Sequence, residues 1–191
     1  MMRIAAGLAV LALVGCASEY PANWRPAPAQ ASRIVFDAPG LAGTARETLW
    51  RQSPGYYADE ELAYWYRDKS APPVAQITRR SLAPNRYFLT LPELKDLVRE
   101  FGDHTQRPVA FGPAGRSVNG LGAVDHLTFQ IGGNDCIAFR EVAGRAVAQP
   151  NIYVPTGNTL LLGYYCAEPG VQLTPAERAG ILQALDLKPE V

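Results

Sequence analysis

Two cysteines, Cys136 and Cys166, constrain the fold of this chain most, because each lies at one end of a segment with a β-strand pattern. Residues 136–142 follow a Gly-Gly-Asn-Asp turn signal, and residues 160–166 are nearly all apolar, as expected of a central strand. If these segments pair antiparallel with Cys136 opposite Cys166, their even-numbered residues share one face of the sheet. The same register predicts two further opposed pairs, Arg140 with Leu162 and Val142 with Leu160.

A disulfide between these two cysteines would close a loop of about 30 residues, which stabilises a fold by roughly 3–4 kcal/mol in a chain-entropy account. The alternative is a pair of separate buried thiols. The choice depends on the compartment, because disulfides persist in oxidising environments such as the periplasm. Cys16, the third cysteine of the chain, bears on that question through its neighbours.

The first residues have the pattern of an export signal. Met1-Met2-Arg3 gives a weakly positive start, and residues 4–14 contain only Ala, Gly, Leu, Ile and Val. A bilayer-spanning helix needs about 20 residues, so this apolar stretch is too short to cross a membrane. Its length is that of the apolar core of a secretory signal peptide.

The apolar stretch ends in Leu13-Val14-Gly15-Cys16, which resembles the lipobox of bacterial lipoproteins at all four positions. The resemblance implies that Cys16 receives a diacylglyceryl group, that residues 1–15 are removed, and that the freed amine is acylated, for example with palmitate. The alternative is an ordinary signal peptide in which Cys16 is incidental. Ala17 stands where an Asp would favour the inner membrane, so we expect a periplasm-facing anchor in the outer membrane.

The composition predicts a folded domain behind a tether. Residues 16–31 contain several prolines and few core-forming residues, so we expect a flexible tether in which Tyr20 and Trp24 either dock on the domain or contact lipid. Residues 32–191 are expected to form a single periplasmic domain. Apolar residues make up 48% of the chain, which excludes a mostly disordered protein. The formal net charge of zero argues against nucleic acid as a partner.

The segment patterns predict an α+β fold, with an antiparallel sheet and helices packed on one side. Thr90 with Glu93, and Thr174 with Glu177, have the spacing of helix-capping boxes, and Gly102 is expected to end the first helix. The remaining predictions are strands at residues 33–36, 74–82 and 124–131, a short helix at 44–51, a helix or strand at 60–67 and a short strand at 152–154. We interpret the glycines from Gly112 to Gly133 as turns and bulges around strands.

The two histidines do not have the spacing of a catalytic or metal site. His104 follows a predicted helix end, where the helix dipole favours it, and His126 lies on the polar face of a predicted strand. Asp125 precedes His126 and would point to the opposite face, so it cannot easily orient the imidazole. A thiol nucleophile at Cys136 or Cys166 with His126 as base would require a reduced cysteine. We therefore predict no catalytic residue, no metal and no cofactor.

An aromatic group is the one candidate binding surface, with Tyr64, Trp65 and Tyr66 at its centre and Tyr56 and Tyr57 nearby. Such rings bind sugars or proteins, or they fill the core.

These patterns favour a non-enzymatic envelope lipoprotein that binds or assembles with other envelope proteins or peptidoglycan. The alternatives are a periplasmic hydrolase or peptidoglycan-modifying enzyme using His126, and a glycan or small-molecule binder built on the aromatic group.

Overall fold

A computed structural model describes residues 23–52, 57–84, 86, 88, 90–144 and 157–189. The signal peptide with Cys16, Tyr20, Tyr56, the segment 152–154 and the side chain of His104 lie outside that description. The strands, in chain order, are β1 (Arg25–Pro26), β2 (Ile34–Phe36), β3 (Ala45–Gln52), β4 (Tyr57–Tyr66), β5 (Ala75–Leu82), β6 (Val109–Val118), β7 (Ala123–Ile131), β8 (Asn134–Ala143), β9 (Thr159–Cys166) and β10 (Leu185–Leu187). The helices are a 3₁₀ turn at Ala29–Ala31, α1 (Leu94–Thr105) and α2 (Pro175–Gln183).

Eight strands form one antiparallel sheet in the order β1-β3-β4-β5-β9-β8-β7-β6, and β10 pairs with β2 in a second, two-stranded sheet. Every residue of β9 is buried, which confirms the central strand predicted from its apolar sequence. The register between β8 and β9 is also confirmed, because Cys136 pairs with Cys166, and the two further pairs are those predicted. A disulfide joins Cys136 to Cys166 across this pair.

The large sheet has two faces because strand side chains alternate, and other elements pack on each of them. We call them the α1 face and the α2 face. On the α2 face, β2, β10 and α2 pack on the sheet over a core that includes Phe36, Phe139 and Ile181. On the α1 face, α1 contacts β6, β7 and β8 and buries Val98 against Phe129. One helix therefore lies on each face.

The predicted α+β class is wrong, and the domain is mainly β. Strands contain 48% of the residues and helices 16%, and the two helices do not form a layer on one side of the sheet. The prediction failed because two strands were not recognised. Residues 44–51, predicted as a short helix, form β3, and the glycine-rich stretch predicted as turns contains β6. The ambiguous segment at 60–67 belongs to strand β4.

Strand β6 tolerates glycine and proline because it is an edge strand that pairs only with β7. Its register shifts between Phe111 and Ala114, which is the bulge that the glycines suggested. A Cβ on Gly112 would lie 2.4 Å from Thr128 Oγ1, and one on Gly115 would lie 2.7 Å from His126 Cε1. These glycines therefore let side chains of β7 lie directly against the β6 backbone.

The two predicted capping boxes have different outcomes. At α2, Thr174 accepts a hydrogen bond from the Glu177 amide and the Glu177 side chain accepts from the Thr174 amide, as predicted. At α1, the capping box at Thr90 is wrong, because the N-cap is Glu93 and it makes no side-chain capping bond. Pro92 explains the difference, since a proline disfavours helical conformation in the residue before it.

Helix α1 also continues past Gly102 to Thr105. A Cβ on Gly102 would lie 2.6 Å from Val109 Cγ2, so this glycine allows a close approach between helix and strand and does not end the helix. None of the described helices has the length and apolar character needed to span a bilayer.

Candidate functional site

The predicted aromatic surface is divided between the two faces of the sheet. Trp65 is 5% exposed and packs edge-on against Phe36 in the core of the α2 face, with the Arg46 guanidinium 4.8 Å from its ring centroid. Tyr64 and Tyr66 lie half-buried on the α1 face, with their ring centroids 5.9 Å apart. The three rings therefore do not present one common surface.

His126 is half-buried on the α2 face, and its Nδ1 has no hydrogen-bond partner among the described residues. Burial lowers its pKa, Asp125 raises it in part, and Arg178 lowers it further. The Asp125 carboxylate points to the other face, where it accepts hydrogen bonds from Arg116 at 2.7 Å and Arg140 at 2.8 Å. The imidazole therefore packs against β6, without the oriented acid that a hydrolytic mechanism through His126 would use.

Metal ligands are not clustered in the described part of the chain, where no group of three or more His, Cys, Asp or Glu side chains could hold an ion. Cys136 and Cys166 are joined in the disulfide.

The best-built candidate for binding is a cavity of about 430 Å³ on the α2 face, between the N-terminal segment and strands β3 to β5. We call it the N-terminal pocket. The described end of the predicted tether forms its wall, because β1 pairs with β3 and the 3₁₀ turn follows. The lining residues are Arg25, Pro26, Ala27, Pro28, Ala31, Ser32, Arg33, Thr48, Trp50, Asp59, Glu61 and Arg79.

One row of the sheet supplies the floor of the pocket. Arg25 pairs with Trp50, Trp50 with Glu61, and Glu61 with Arg79, so these four side chains lie side by side on β1, β3, β4 and β5. Glu61 and Arg79 are each 2% exposed. Burying an ion pair destabilises a fold unless the hydrogen bonds of both groups are satisfied, so the partners of this pair determine its effect on stability.

The hydrogen bonds of this pair are satisfied within the fold. Arg79 Nε donates to Glu61 Oε2 at 3.2 Å, and its terminal nitrogens donate to Asp59 and Ser81. Glu61 also accepts from the Ser32 hydroxyl and, at 3.1 Å, from the Arg33 amide. The network thus ties the start of the domain to the middle of the sheet, and its buried Glu61–Arg79 pair is not itself available to a ligand.

The groups left for a ligand lie around this network. Trp50 is 39% exposed and the Asp59 side chain 29% exposed. Thr48 is almost fully buried, and its hydroxyl has no hydrogen-bond partner within the described ranges. An indole, a carboxylate, a hydroxyl and the Arg25 guanidinium therefore surround a cavity with apolar proline walls, the usual composition of a small-ligand site.

A second cavity, of about 380 Å³, lies between the β4–β5 turn and the end of α1, beside Cys166. Arg67, Asp68 and Arg107 line it together with prolines and Phe101, but no nearly buried charged side chain contributes to it. It is therefore a less specific candidate than the N-terminal pocket.

The charge pattern of two strand segments contains a signal for the N-terminal pocket that was not among the predicted sites. Glu61 and Arg79 are charged residues inside the segments 60–67 and 74–82, and charged residues are almost never fully buried unless they are paired. Pairing them required knowing that β4 and β5 are neighbours in this register.

Comparison with known proteins gives no match, whether with protein-family models, curated proteins or solved structures.

Proposed function

We propose that this chain is an envelope lipoprotein, anchored through Cys16 in the outer membrane and facing the periplasm, that binds a ligand in the N-terminal pocket without catalysis. The pocket carries the proposal, because it combines a concave volume with a fixed ionic floor and several polar groups on its walls. Preorganised sites of this kind lose little free energy in ordering themselves around a ligand. The Cys136–Cys166 disulfide is consistent with an exported domain.

The ligand that fits these groups has an apolar ring face and several hydrogen-bonding substituents. The exposed face of Trp50 can stack on such a ring, while Asp59, Thr48 and Arg25 supply one acceptor, one hydroxyl and one cation. Sugar rings with attached peptide carboxylates have this character, so we propose peptidoglycan fragments as the ligand class. A binding or assembly role at the cell wall would follow.

The direct test is calorimetric titration and thermal unfolding of the mature chain with soluble peptidoglycan fragments. Binding to the folded state raises its melting temperature. We expect Trp50→Ala to remove this shift, and Phe111→Ala to keep it. Phe111 is a matched control, because it is also 39% exposed but lies on β6 at the opposite edge of the sheet. Equal effects of the two substitutions would contradict the proposed site.

Thr48→Val separates a binding role from a structural one. If the Thr48 hydroxyl bonds the ligand, we expect this nearly isosteric change to weaken binding about tenfold, the value of one net hydrogen bond of about 1.4 kcal/mol. The ligand-free domain should be as stable as before or more stable, because an unpartnered buried hydroxyl is removed. Unchanged affinity would exclude the hydroxyl from the site.

The anchor has a separate test in the intact mass of the protein purified from its envelope. We expect a chain that begins at Cys16 and carries a lipid adduct, and Cys16→Ser should abolish the adduct. An unlipidated mass for the unsubstituted protein would overturn the anchor and leave the pocket measurements unaffected.

A further inference from the structure

Two arginines flank a buried carboxylate on the α1 face, at the end of the sheet where the N-terminal segment joins it. Arg51, Glu60 and Arg80 are direct neighbours on β3, β4 and β5. Glu60 Oε1 accepts from Arg51 Nε at 3.0 Å and from Arg51 Nη2 at 2.6 Å, and Glu60 Oε2 accepts from Arg80 Nε at 3.1 Å. One carboxylate therefore holds two guanidinium groups in place, and the row keeps one net positive charge.

Each guanidinium also lies against an aromatic ring. Arg51 Cζ is 4.6 Å from the centroid of the Trp24 ring, and Arg80 Cζ is 5.6 Å from the centroid of the Tyr57 ring. The Glu60 side chain is 2% exposed, whereas those of Arg51 and Arg80 are each 31% exposed. Solvent thus reaches the cations and not the carboxylate. We call these five residues the Trp24 surface.

The chemistry of the Trp24 surface matches the headgroup region of a bilayer. Tryptophan and tyrosine concentrate at the membrane–water interface, and arginine at that depth binds lipid phosphates. Arg80 bonds Glu60 through Nε, and its side chain, which ends in a fork of two terminal nitrogens, is 31% exposed. A phosphate oxygen suits such a fork.

The position of the anchor selects the membrane as the occupant of this surface. Trp24 is only eight residues beyond Cys16, so a fully extended chain places it no more than about 29 Å from the lipidated residue. A domain of this size is about 40 Å across. The end of the sheet that carries Trp24 therefore stays close to the bilayer whatever the tilt of the domain.

We infer that the Trp24 surface lies on the anionic surface of the bilayer that holds the lipid anchor, with Arg51 and Arg80 on lipid phosphates and Trp24 and Tyr57 in the headgroup layer. This inference rests on the proposed anchor at Cys16. It gives the tethered domain one orientation relative to the membrane surface, with the Trp24 surface of the α1 face turned toward the lipid.

Fluorescence quenching tests the contact in the lipidated protein. The mature protein is reconstituted in vesicles of phosphatidylethanolamine and phosphatidylglycerol that contain lipids brominated near the headgroup, which quench only tryptophans close to them. The chain has three tryptophans. We expect Trp24→Phe to remove most of the quenching and Trp50→Phe to leave at least half of it. Quenching that persists in Trp24→Phe would overturn the inference.

Vesicle sedimentation tests the surface without the anchor, using a chain that begins at residue 16 and carries Cys16→Ser. We expect it to bind phosphatidylglycerol vesicles and not phosphatidylcholine vesicles, since an arginine near an anionic surface changes binding by about fivefold. Substituting Arg51→Gln and Arg80→Gln together should weaken binding roughly 25-fold. Substituting Arg99→Gln and Arg116→Gln together is the matched control, because it removes the same charge from two side chains that are 60% and 70% exposed elsewhere.

Equal losses from the two pairs of substitutions would show a general charge effect and overturn the inference. Because the Arg51/Arg80 pair leaves Glu60 buried and unpaired, a third variant adds Glu60→Gln. It removes one net charge from the row, should stay folded by circular dichroism, and should bind about fivefold more weakly than the Cys16→Ser parent. Unchanged binding in the folded triple variant would also overturn the inference. A missing lipid on Cys16 would contradict the anchor and the orientation that rests on it, whereas the sedimentation measurements test the Trp24 surface separately because they do not use the lipid.

Discussion

Glu61 and Arg79 each control the floor of the N-terminal pocket, because both are buried and each is the charge partner of the other. Removing one partner of a buried ion pair leaves an uncompensated charge and typically costs 3–5 kcal/mol. Asp59 also contacts Arg79 and offsets part of that loss. We therefore expect Glu61→Gln to lower the free energy of unfolding by about 3 kcal/mol, as measured by urea denaturation.

Glu47→Gln is the control for that substitution, because Glu47 lies on the neighbouring strand β3 in a solvent-accessible ion pair with Lys69. Exposed pairs contribute only about 0–1 kcal/mol. Similar losses in the two variants would mean that the network at Glu61 does not stabilise the start of the domain more than a surface pair does.

Glu141 should make stability depend on pH. Burial raises the pKa of this carboxyl, a hydrogen bond from Asn119 at 2.9 Å lowers it in part, and Asp186 raises it further. Its Oε1 has no hydrogen-bond partner in the described part of the chain. The folded state therefore binds the proton more tightly than the unfolded state does, so this contribution to stability is lost as pH rises from the ordinary carboxyl pKa through the raised value.

Glu141→Gln removes this titration while keeping the shape of the side chain. We expect the stability of the variant relative to the unsubstituted protein to increase as pH rises above the ordinary carboxyl pKa of about 4.3, as measured by urea denaturation at a series of pH values. A relative stability that stays constant with pH would mean that the pKa of Glu141 is the same in the folded and unfolded states.

At the scale of elements, the sequence predicted the strands and helix whose conformation is determined by residues close together in the chain. The strand at β7, the apolar run of β9 and the capping box of α2 each reflect neighbouring residues, and all three are confirmed, although Val124 and Thr128 on the predicted polar face of β7 are buried. β3 was missed because its sequence, ARETLWRQ, has no clear period of two. Its extended form comes from pairing with β1 on one side and β4 on the other.

The two threonines predicted as helix caps give a test at this scale. Thr174→Ala removes a formed capping bond and should lower the free energy of unfolding by about 1 kcal/mol. Thr90→Ala is the matched control and should change it by less than about 0.5 kcal/mol, because Thr90 is exposed and does not cap α1. Urea denaturation of the two variants compares them directly, and a larger loss at Thr90 would contradict the observed start of α1.

At the scale of the whole molecule, one register was predictable and the pocket was not. The register of β8 and β9 could be predicted from one assumption, that the two strands pair antiparallel with Cys136 opposite Cys166. A shift by one residue would move every side chain to the other face, so the apolar pattern supports that register. The pocket depends on four strands and the N-terminal segment together. Its position follows only from the order of strands in the sheet, which no local pattern specifies.

The disulfide affects the whole molecule because it limits the unfolded chain. It joins β8 to the central strand β9 across a sequence separation of 30 residues. The chain-entropy account assigns about 3–4 kcal/mol to a loop of that length. We therefore expect reduction with dithiothreitol to lower the free energy of unfolding by about that amount, with the fold retained, as measured by urea denaturation with and without the reductant. The chain carrying Cys136→Ala and Cys166→Ala is the control, and its stability should not respond to dithiothreitol. If reduction changes the unsubstituted protein by less than about 1 kcal/mol, the unfolded chain already keeps these segments close, and the stability of the central pair must come from packing around β9.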